Sequence, residues 1–196
     1  MIIIYGGSFN PPTKAHLEIA KYLNAKYHPK QFIFVPVGDQ YQKNHIVEFK
    51  HRFNMLNLLT KDLENVIVSD FENSEFKGTI TTLNYYQANY PIDDIYFVLG
   101  ADNLLHLEQW IRASELIQKY HFLVLNRNQL NIKEILHKSP LLSQYQEKLM
   151  IETDFPSIAV SATKYREEMI DDMVTKEVND YIYKHGLYNR GGRNGK

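Results

Sequence analysis

The stretch Met1-Ile2-Ile3-Ile4-Tyr5-Gly6-Gly7-Ser8-Phe9-Asn10-Pro11-Pro12-Thr13-Lys14-Ala15-His16 decides how this chain of 196 residues is to be read. An apolar, largely β-branched run ends in two glycines and a short polar, proline-bearing turn, and an amphipathic segment follows at once. Paired glycines allow left-handed or close-approach backbone that a Cβ would block, so main-chain N–H groups can turn toward a phosphate. The helix after the turn adds the positive end of its dipole. Ser8, Thr13, Lys14 and His16 concentrate polar donors at this strand end, a composition suited to a polyphosphate. A strand–Gly–Gly–helix junction also serves merely as a tight turn in many α/β proteins. The segment is not a Walker loop, since no Gly-Lys-Ser/Thr follows, nor is it the spaced three-glycine dinucleotide fingerprint.

Outward from this junction, short β-rich apolar runs alternate with segments of helical period, the pattern of a parallel sheet covered on both faces. The pattern predicts strands over 2–5, 32–37, 66–69, 95–99, 122–125 and 149–152. It predicts helices over 17–27, 49–63, 82–89, 113–119 and 132–138, the second with Phe53, Leu56, Leu59 and Leu63 on one stripe. The fold class is therefore α/β: a single doubly wound, Rossmann-like parallel sheet with helices on both faces and a C-terminal helical segment. One domain is expected over 1–190, with a disordered tail over 191–196. In such sheets ligands sit outside the carboxyl ends of the strands, where the strand order reverses, so strand-end motifs should converge there.

Composition narrows the function. Twenty-two Lys and Arg against 23 Asp and Glu give a net charge of −1, so no electrostatic footprint points to a nucleic-acid partner. The chain has no cysteine, which excludes a disulfide scaffold, a thiolate nucleophile and a Cys-based zinc site. The N-terminal apolar run is too short for a signal peptide and lacks its charged flank, and no run approaches the roughly 18 residues of a membrane span. A cytoplasmic protein with no membrane partner is expected. No His/Asp/Glu cluster has metal-ligand spacing, and His45 and His51 are read as surface residues at a helix start.

Two further segments carry chemistry. Leu99-Gly100-Ala101-Asp102 closes a predicted strand, with Trp110 eight residues after Asp102. Gly100 allows close approach of a base or ribose, and the Asp102 carboxylate can accept from ribose hydroxyls or help to hold a metal. Either feature alone is as well explained by a turn and a core Trp. Near the C-terminus, Ser161-Ala162-Thr163-Lys164-Tyr165-Arg166 reads as a helix capped by Ser161 and running to about residue 171. Thr163 and Arg166 lie one turn apart on the same side, where a guanidinium can clamp a phosphate. An ordinary capped helix with a surface Arg has the same pattern. The final helix, with Val178 and Ile182 on one face and Gly186 ending it, is assigned no chemistry.

Gly6-Gly7-Ser8-Phe9-Asn10-Pro11 followed by Thr13-Lys14-Ala15-His16 resembles the signature of the nucleotidyltransferases that carry a (His/Thr)-x-Gly-His motif. Asn10 stands where that family usually has Asp, and Ala15 where it usually has Gly. The segment from Ser161 to Arg166 resembles the family's second signature. Gly100-x-Asp102 followed by Trp110, and the closing stretch to Tyr188, resemble the nicotinate mononucleotide adenylyltransferase branch, and the likeness spans nearly the whole chain.

What the resemblance implies is transfer of AMP from ATP to nicotinate mononucleotide, giving deamido-NAD and pyrophosphate, with magnesium carried on the ATP. The implied ATP-binding residues are Gly6, Gly7, Ser8, Phe9, His16, Gly100, Asp102, Ser161, Thr163 and Arg166. His16, assisted by Thr13, would stabilise the α-phosphate, and Arg166 the leaving pyrophosphate. On the acceptor side the resemblance implies Trp110 stacking on the pyridine ring and a backbone N–H of Thr79 meeting the nicotinate carboxylate. Thr79 reads equally as a helix cap. Asn10 and Lys43 complete that side, although the branch's Pro-Pro-His-Lys is absent around Lys43; Arg127 matches a basic position without a derivable role. An enzyme acting on nicotinamide mononucleotide or phosphopantetheine stays open, as do a non-catalytic nucleotide-binding regulator and a homo-oligomer.

Overall fold

The computed structural model describes residues 1–40, 46–73, 77–126, 130–155 and 160–188. The tail over 191–196, Lys43, His45 and Arg127 lie outside the described residues. Six strands, β1 (Ile2–Gly7), β2 (Gln31–Pro36), β3 (Val66–Val68), β4 (Ile95–Gly100), β5 (His121–Leu125) and β6 (Leu149–Glu152), form one sheet of order β3-β2-β1-β4-β5-β6, every pair parallel. The order turns back at β1, which pairs with β2 on one side and β4 on the other. This is the switch point that the first sixteen residues feed.

Alternation along the strands sends successive side chains to opposite faces. Ile2, Ile4, Ile33 and Val35 face a core closed by α3 (Thr79–Asn89), α5 (Ala113–Lys119), α6 (Ile132–Lys138) and α7 (Pro140–Gln144). Ile3, Phe32, Phe34 and Val98 face a second core closed by α1 (Lys14–Tyr27), α2 (Phe49–Thr60), α8 (Ala162–Glu168) and α9 (Lys176–Lys184). Each fully buried Ile or Phe contributes about 1.5–3 kcal/mol, which is why β1 needs apolar side chains on both faces and reads as an unbroken run. Between β4 and α5 the chain makes the short helix α4 (Ala101–Leu104) and a 3₁₀ turn over Leu107–Gln109. Among the described residues no helix is long and apolar enough to cross a membrane.

Several boundaries differ from the sequence reading for physical reasons. Helix α1 begins at Lys14 rather than residue 17, because Thr13 and His16 close a reciprocal capping box with His in the place usually taken by Glu or Gln. Helix α3 begins at Thr79, three residues early, after Gly78 at φ 89°; Thr79 is therefore the first helical residue and not the cap. Helix α2 stops at Thr60 and is rotated from the expected stripe: Arg52 and Met55 are buried with Leu56 and Leu59, while Phe53 is half-buried and stacks on Phe49. Helix α8 is capped by the Ser161 hydroxyl, which accepts from the Lys164 N–H at 3.1 Å, and stops at Glu168 because Met169 turns left-handed. Gly186, at φ 61°, follows the end of α9.

Candidate active site

A cleft of about 490 Å³ opens at the carboxyl ends of β1, β2 and β4, within the range of small-molecule sites. Gly6, Gly7, Ser8 and Phe9 form one wall with His16; Gly100, Thr79 and Trp110 border it on the β4 and α3 side. The glycines do not supply the left-handed turn. Strand β1 runs through both, and the residue with positive φ is Phe9, at 45°. What the glycines allow is close approach: a Cβ on Gly6 would stand 3.0 Å from the Phe97 ring, and one on Gly7 3.1 Å from the Phe9 ring.

His16 is held on several sides. Its Nδ1 accepts from the Thr13 backbone N–H at 2.9 Å, with the Thr13 hydroxyl also at 2.9 Å. A peptide N–H can only donate, so Nδ1 is the unprotonated nitrogen and Nε2 carries the hydrogen. The Phe9 ring meets the imidazole edge-on at 5.1 Å between centroids, and the Tyr5 ring lies at 6.0 Å. The half-exposed ring thus presents a fixed Nε2–H donor on a cleft wall.

Other candidate residues are placed differently. Thr13 is buried beneath His16. Lys14 is turned away and pairs with Asp172 on the surface. Ala15 is buried in the core, so its methyl group packs inward. Arg166 donates to the Asn10 carbonyl and, at 3.3 Å, to the Thr163 hydroxyl, tying α8 to the β1–α1 loop; Ala162 is the α8 residue that reaches the cleft. Asn10 is itself buried, its Oδ1 accepting from the Val47 N–H at 3.2 Å and the Tyr188 hydroxyl at 2.8 Å. Asp102 is exposed in the first turn of α4, and an added Cβ on Gly100 would meet its Oδ1 at 2.4 Å. The Trp110 indole packs edge-on to Phe97 at 6.2 Å and is half-buried.

Three residues that sequence reasoning did not single out shape the site. Arg52, on α2, is completely buried and donates to the Val47 carbonyl at 2.7 Å, the Ser8 carbonyl at 3.1 Å and Asp39 Oδ1 at 3.1 Å. Burial pushes its guanidinium below its ordinary value, and the Asp39 carboxylate opposes that. Tyr188 reaches back from beyond α9 to Asn10. Glu72 is 5% exposed, lines the cleft and accepts from the Thr82 hydroxyl; burial pushes its carboxyl up to about 7, against the opposing effect of that hydrogen bond. The available signals were a charged residue at an apolar position of α2 and an acid two residues past a strand-end Asp. Among the described residues that line the cleft none is Lys or Arg. Among the described residues no group of three or more His, Cys, Asp or Glu is placed to hold a metal ion.

A doubly wound parallel sheet with its cleft at the switch point and an N–H-bearing imidazole at the end of the first strand defines a Rossmann-like nucleotidyltransferase fold. The chain belongs to the cytidylyltransferase-like family, whose model matches residues 4–168. A probable nicotinate-nucleotide adenylyltransferase of Acholeplasma laidlawii is 38% identical over 192 residues, covering 96% of this chain and 97% of that protein. A relative of the same description from Caldicellulosiruptor saccharolyticus is 35% identical, with 95% of this chain and 98% of the relative covered. The structure of Plasmodium falciparum nicotinic acid mononucleotide adenylyltransferase complexed with NaAD superposes with a TM-score of 0.78 over 96% of this chain and 97% of that one, at 24% identity, and shows the same fold.

Proposed function

We infer that the protein transfers the adenylyl group of ATP to nicotinate mononucleotide, releasing pyrophosphate and forming deamido-NAD, within the cytoplasmic synthesis of NAD. The observation that carries the inference is the convergence in one cleft of a fixed imidazole N–H, the Trp110 indole and a helix N-terminus. Full-length likeness to relatives described as acting on nicotinate nucleotides supports the choice of acceptor.

The reaction asks little covalent chemistry of the protein. A phosphate oxygen of the acceptor attacks the α-phosphorus of ATP, a new P–O bond forms, and the bond to the bridging oxygen breaks with its electron pair leaving on pyrophosphate. Positioning and charge stabilisation account for most of such a rate. The His16 Nε2–H donates to the α-phosphate as charge builds there, and the Thr13 N–H keeps the hydrogen on Nε2. The turn after β1 offers amides to the phosphates. Arg166, with five N–H donors, serves the pyrophosphate side while fixing Asn10; Ser161 and Thr163 shape that end of the site, and Gly100 and Asp102 border the nucleoside. Trp110 stacks on the acceptor's pyridine ring, an interaction worth about 1–3 kcal/mol. Thr79, at the start of α3, presents its amide to the ring carboxylate. Asn10 contributes from behind the loop, and Lys43 is assigned to the acceptor phosphate. ATP enters as its magnesium complex, in which the metal neutralises triphosphate charge.

The test is His16→Ala assayed by pyrophosphate release. Loss of the donor lowers kcat by about 10²–10³-fold while ATP affinity, measured by calorimetry, stays within a few-fold. Unchanged kcat would remove His16 from the reaction.

A further inference from the structure

Glu72 poses a problem that the reaction above does not solve. Its side chain is 95% withdrawn from solvent, yet among the described residues nothing donates to Oε2. A buried polar atom without a partner costs about 1–3 kcal/mol, and an apolar residue would fill the space without that cost. The position is also tightly built. A Cβ on Gly38 would stand 2.1 Å from the Glu72 carbonyl oxygen, so the chain leaving β2 presses directly on the Glu72 backbone. Thr82 fixes the other carboxyl oxygen, Oε1.

The placement points to a ligand. Thr82 lies one turn beyond Thr79 on α3, and residues three apart share a helix face. Glu72, Thr79 and Thr82 all line the cleft, and Ile111, next to Trp110, packs on Gly78 at the start of α3. Through Thr82 the carboxyl is tied to α3, whose first residue Thr79 is assigned above to the acceptor's ring. We propose that Glu72 is the specificity-determining residue that reads the ring substituent of the acceptor, donating from a protonated Oε2–H to a ring carboxylate and meeting an uncharged ring carboxamide with or without its proton. The proposal rests on the acceptor reading given above.

The chemistry follows from charge. Two carboxylates in one buried site cannot both ionise and share a proton instead. Binding of the acid thus requires Glu72 to hold its proton, whereas the uncharged amide makes no such demand. Burial already pushes the Glu72 carboxyl up to about 7, in the direction that favours the proton-bearing form the acid requires. Thr82 is the hydrogen-bond partner on α3, and Tyr86, one turn further along, responds to the charge of Glu72. Tyr5 and His16 are the other ionisable side chains of the described cleft lining, and both are present in every protein compared.

The experiment is calorimetric binding of nicotinate mononucleotide and of nicotinamide mononucleotide at pH 7.5, in buffers of different ionisation enthalpy, to the wild-type protein and to Glu72→Gln. The glutamine keeps an oxygen for Thr82 and places a permanent N–H at the position of Oε2. Wild type should take up roughly half a proton or more with the acid than with the amide, and Glu72→Gln should abolish the difference. In turnover, the wild-type ratio of kcat/KM for acid over amide should fall about fivefold between pH 7 and pH 8, and stay flat in the variant. The two nucleotides share the same phosphate, so its titration does not contribute to the difference. Equal proton uptake with both acceptors in wild type overturns the proposal, and needs no variant to fold; a difference that survives in Glu72→Gln overturns it too. Wild type that binds neither mononucleotide would instead refute the acceptor reading beneath it.

Discussion

Replacing Arg52 by Met tests how the first-strand loop is held. The guanidinium is buried completely and its three hydrogen bonds reach Val47, Ser8 and Asp39. Hydrogen bonds from a charged donor are each worth about 1.5–3 kcal/mol. The Asp39 side chain is half-exposed, so solvent replaces that partner and its share shrinks to about 0–1 kcal/mol. The Ser8 and Val47 carbonyls have no such relief. Against their loss stands the relief of desolvating one fewer charge, since exchanging a buried ion for an apolar side chain of similar size recovers part of the cost. The net expected loss is about 2–3 kcal/mol, or a fall in Tm of about 4–12 °C for a chain of this length. Because Ser8 lies on the cleft wall, the same variant should raise KM for ATP more than it lowers kcat. Urea unfolding and steady-state kinetics, with Arg52→Lys as the variant that keeps charge but loses the planar fork, provide the assay. A loss below about 0.5 kcal/mol, or full recovery by Lys, would refute the argument that the fork geometry anchors the loop.

Two further perturbations have definite outcomes. Burial opposes the charge on Glu152, but donation from Lys26, Tyr27 and Tyr22 prevails and holds its carboxyl below the ordinary value of 4.5. A depressed acid adds stability that is fully present above its unfolded value and is lost as pH falls through the folded one, so wild type should lose stability below about pH 4.5, and Glu152→Gln should flatten that part of the profile in urea titrations. Gly38→Ala places a methyl group 2.1 Å from the Glu72 carbonyl oxygen, a backbone atom that cannot swing aside. The expected cost is about 1–3 kcal/mol in thermal unfolding, together with a raised KM for the acceptor at little change in KM for ATP; an unaltered melting curve would mean that the approach is looser than described.

The parts of the fold that the sequence conveyed are those in which local pattern and tertiary role coincide. Strands of a parallel sheet are buried on both faces, so β1, β2, β4 and β5 appear as apolar runs and their limits fall within two residues of the expected ones. Helices α4 and α7, of four and five residues, are too short for a 3.6-residue period to register. Helix α1 began early because its cap depends on a histidine acting where Glu or Gln usually does. In the cleft, the motif residues of β1, α1 and β4 could be read as strand-end chemistry. Arg52 and Glu72 could not, because their meaning is long-range: Arg52 matters through Ser8, 44 residues away, and Glu72 sits where the chain beyond β2 passes at Gly38 and α3 brings Thr82 to it. The Thr163–Arg166 spacing suggests a guanidinium facing phosphate; the structure shows it donating to the Asn10 carbonyl, a contact that no spacing rule reveals.

Adenylyl transfer to nicotinate mononucleotide is measured by pyrophosphate release with ATP and magnesium at neutral pH, comparing nicotinate mononucleotide, nicotinamide mononucleotide, phosphopantetheine and no acceptor. Release with nicotinate mononucleotide well above every other condition is expected, with deamido-NAD formed in equal amount. Release with phosphopantetheine in preference, or none with any acceptor while ATP still binds, would contradict it.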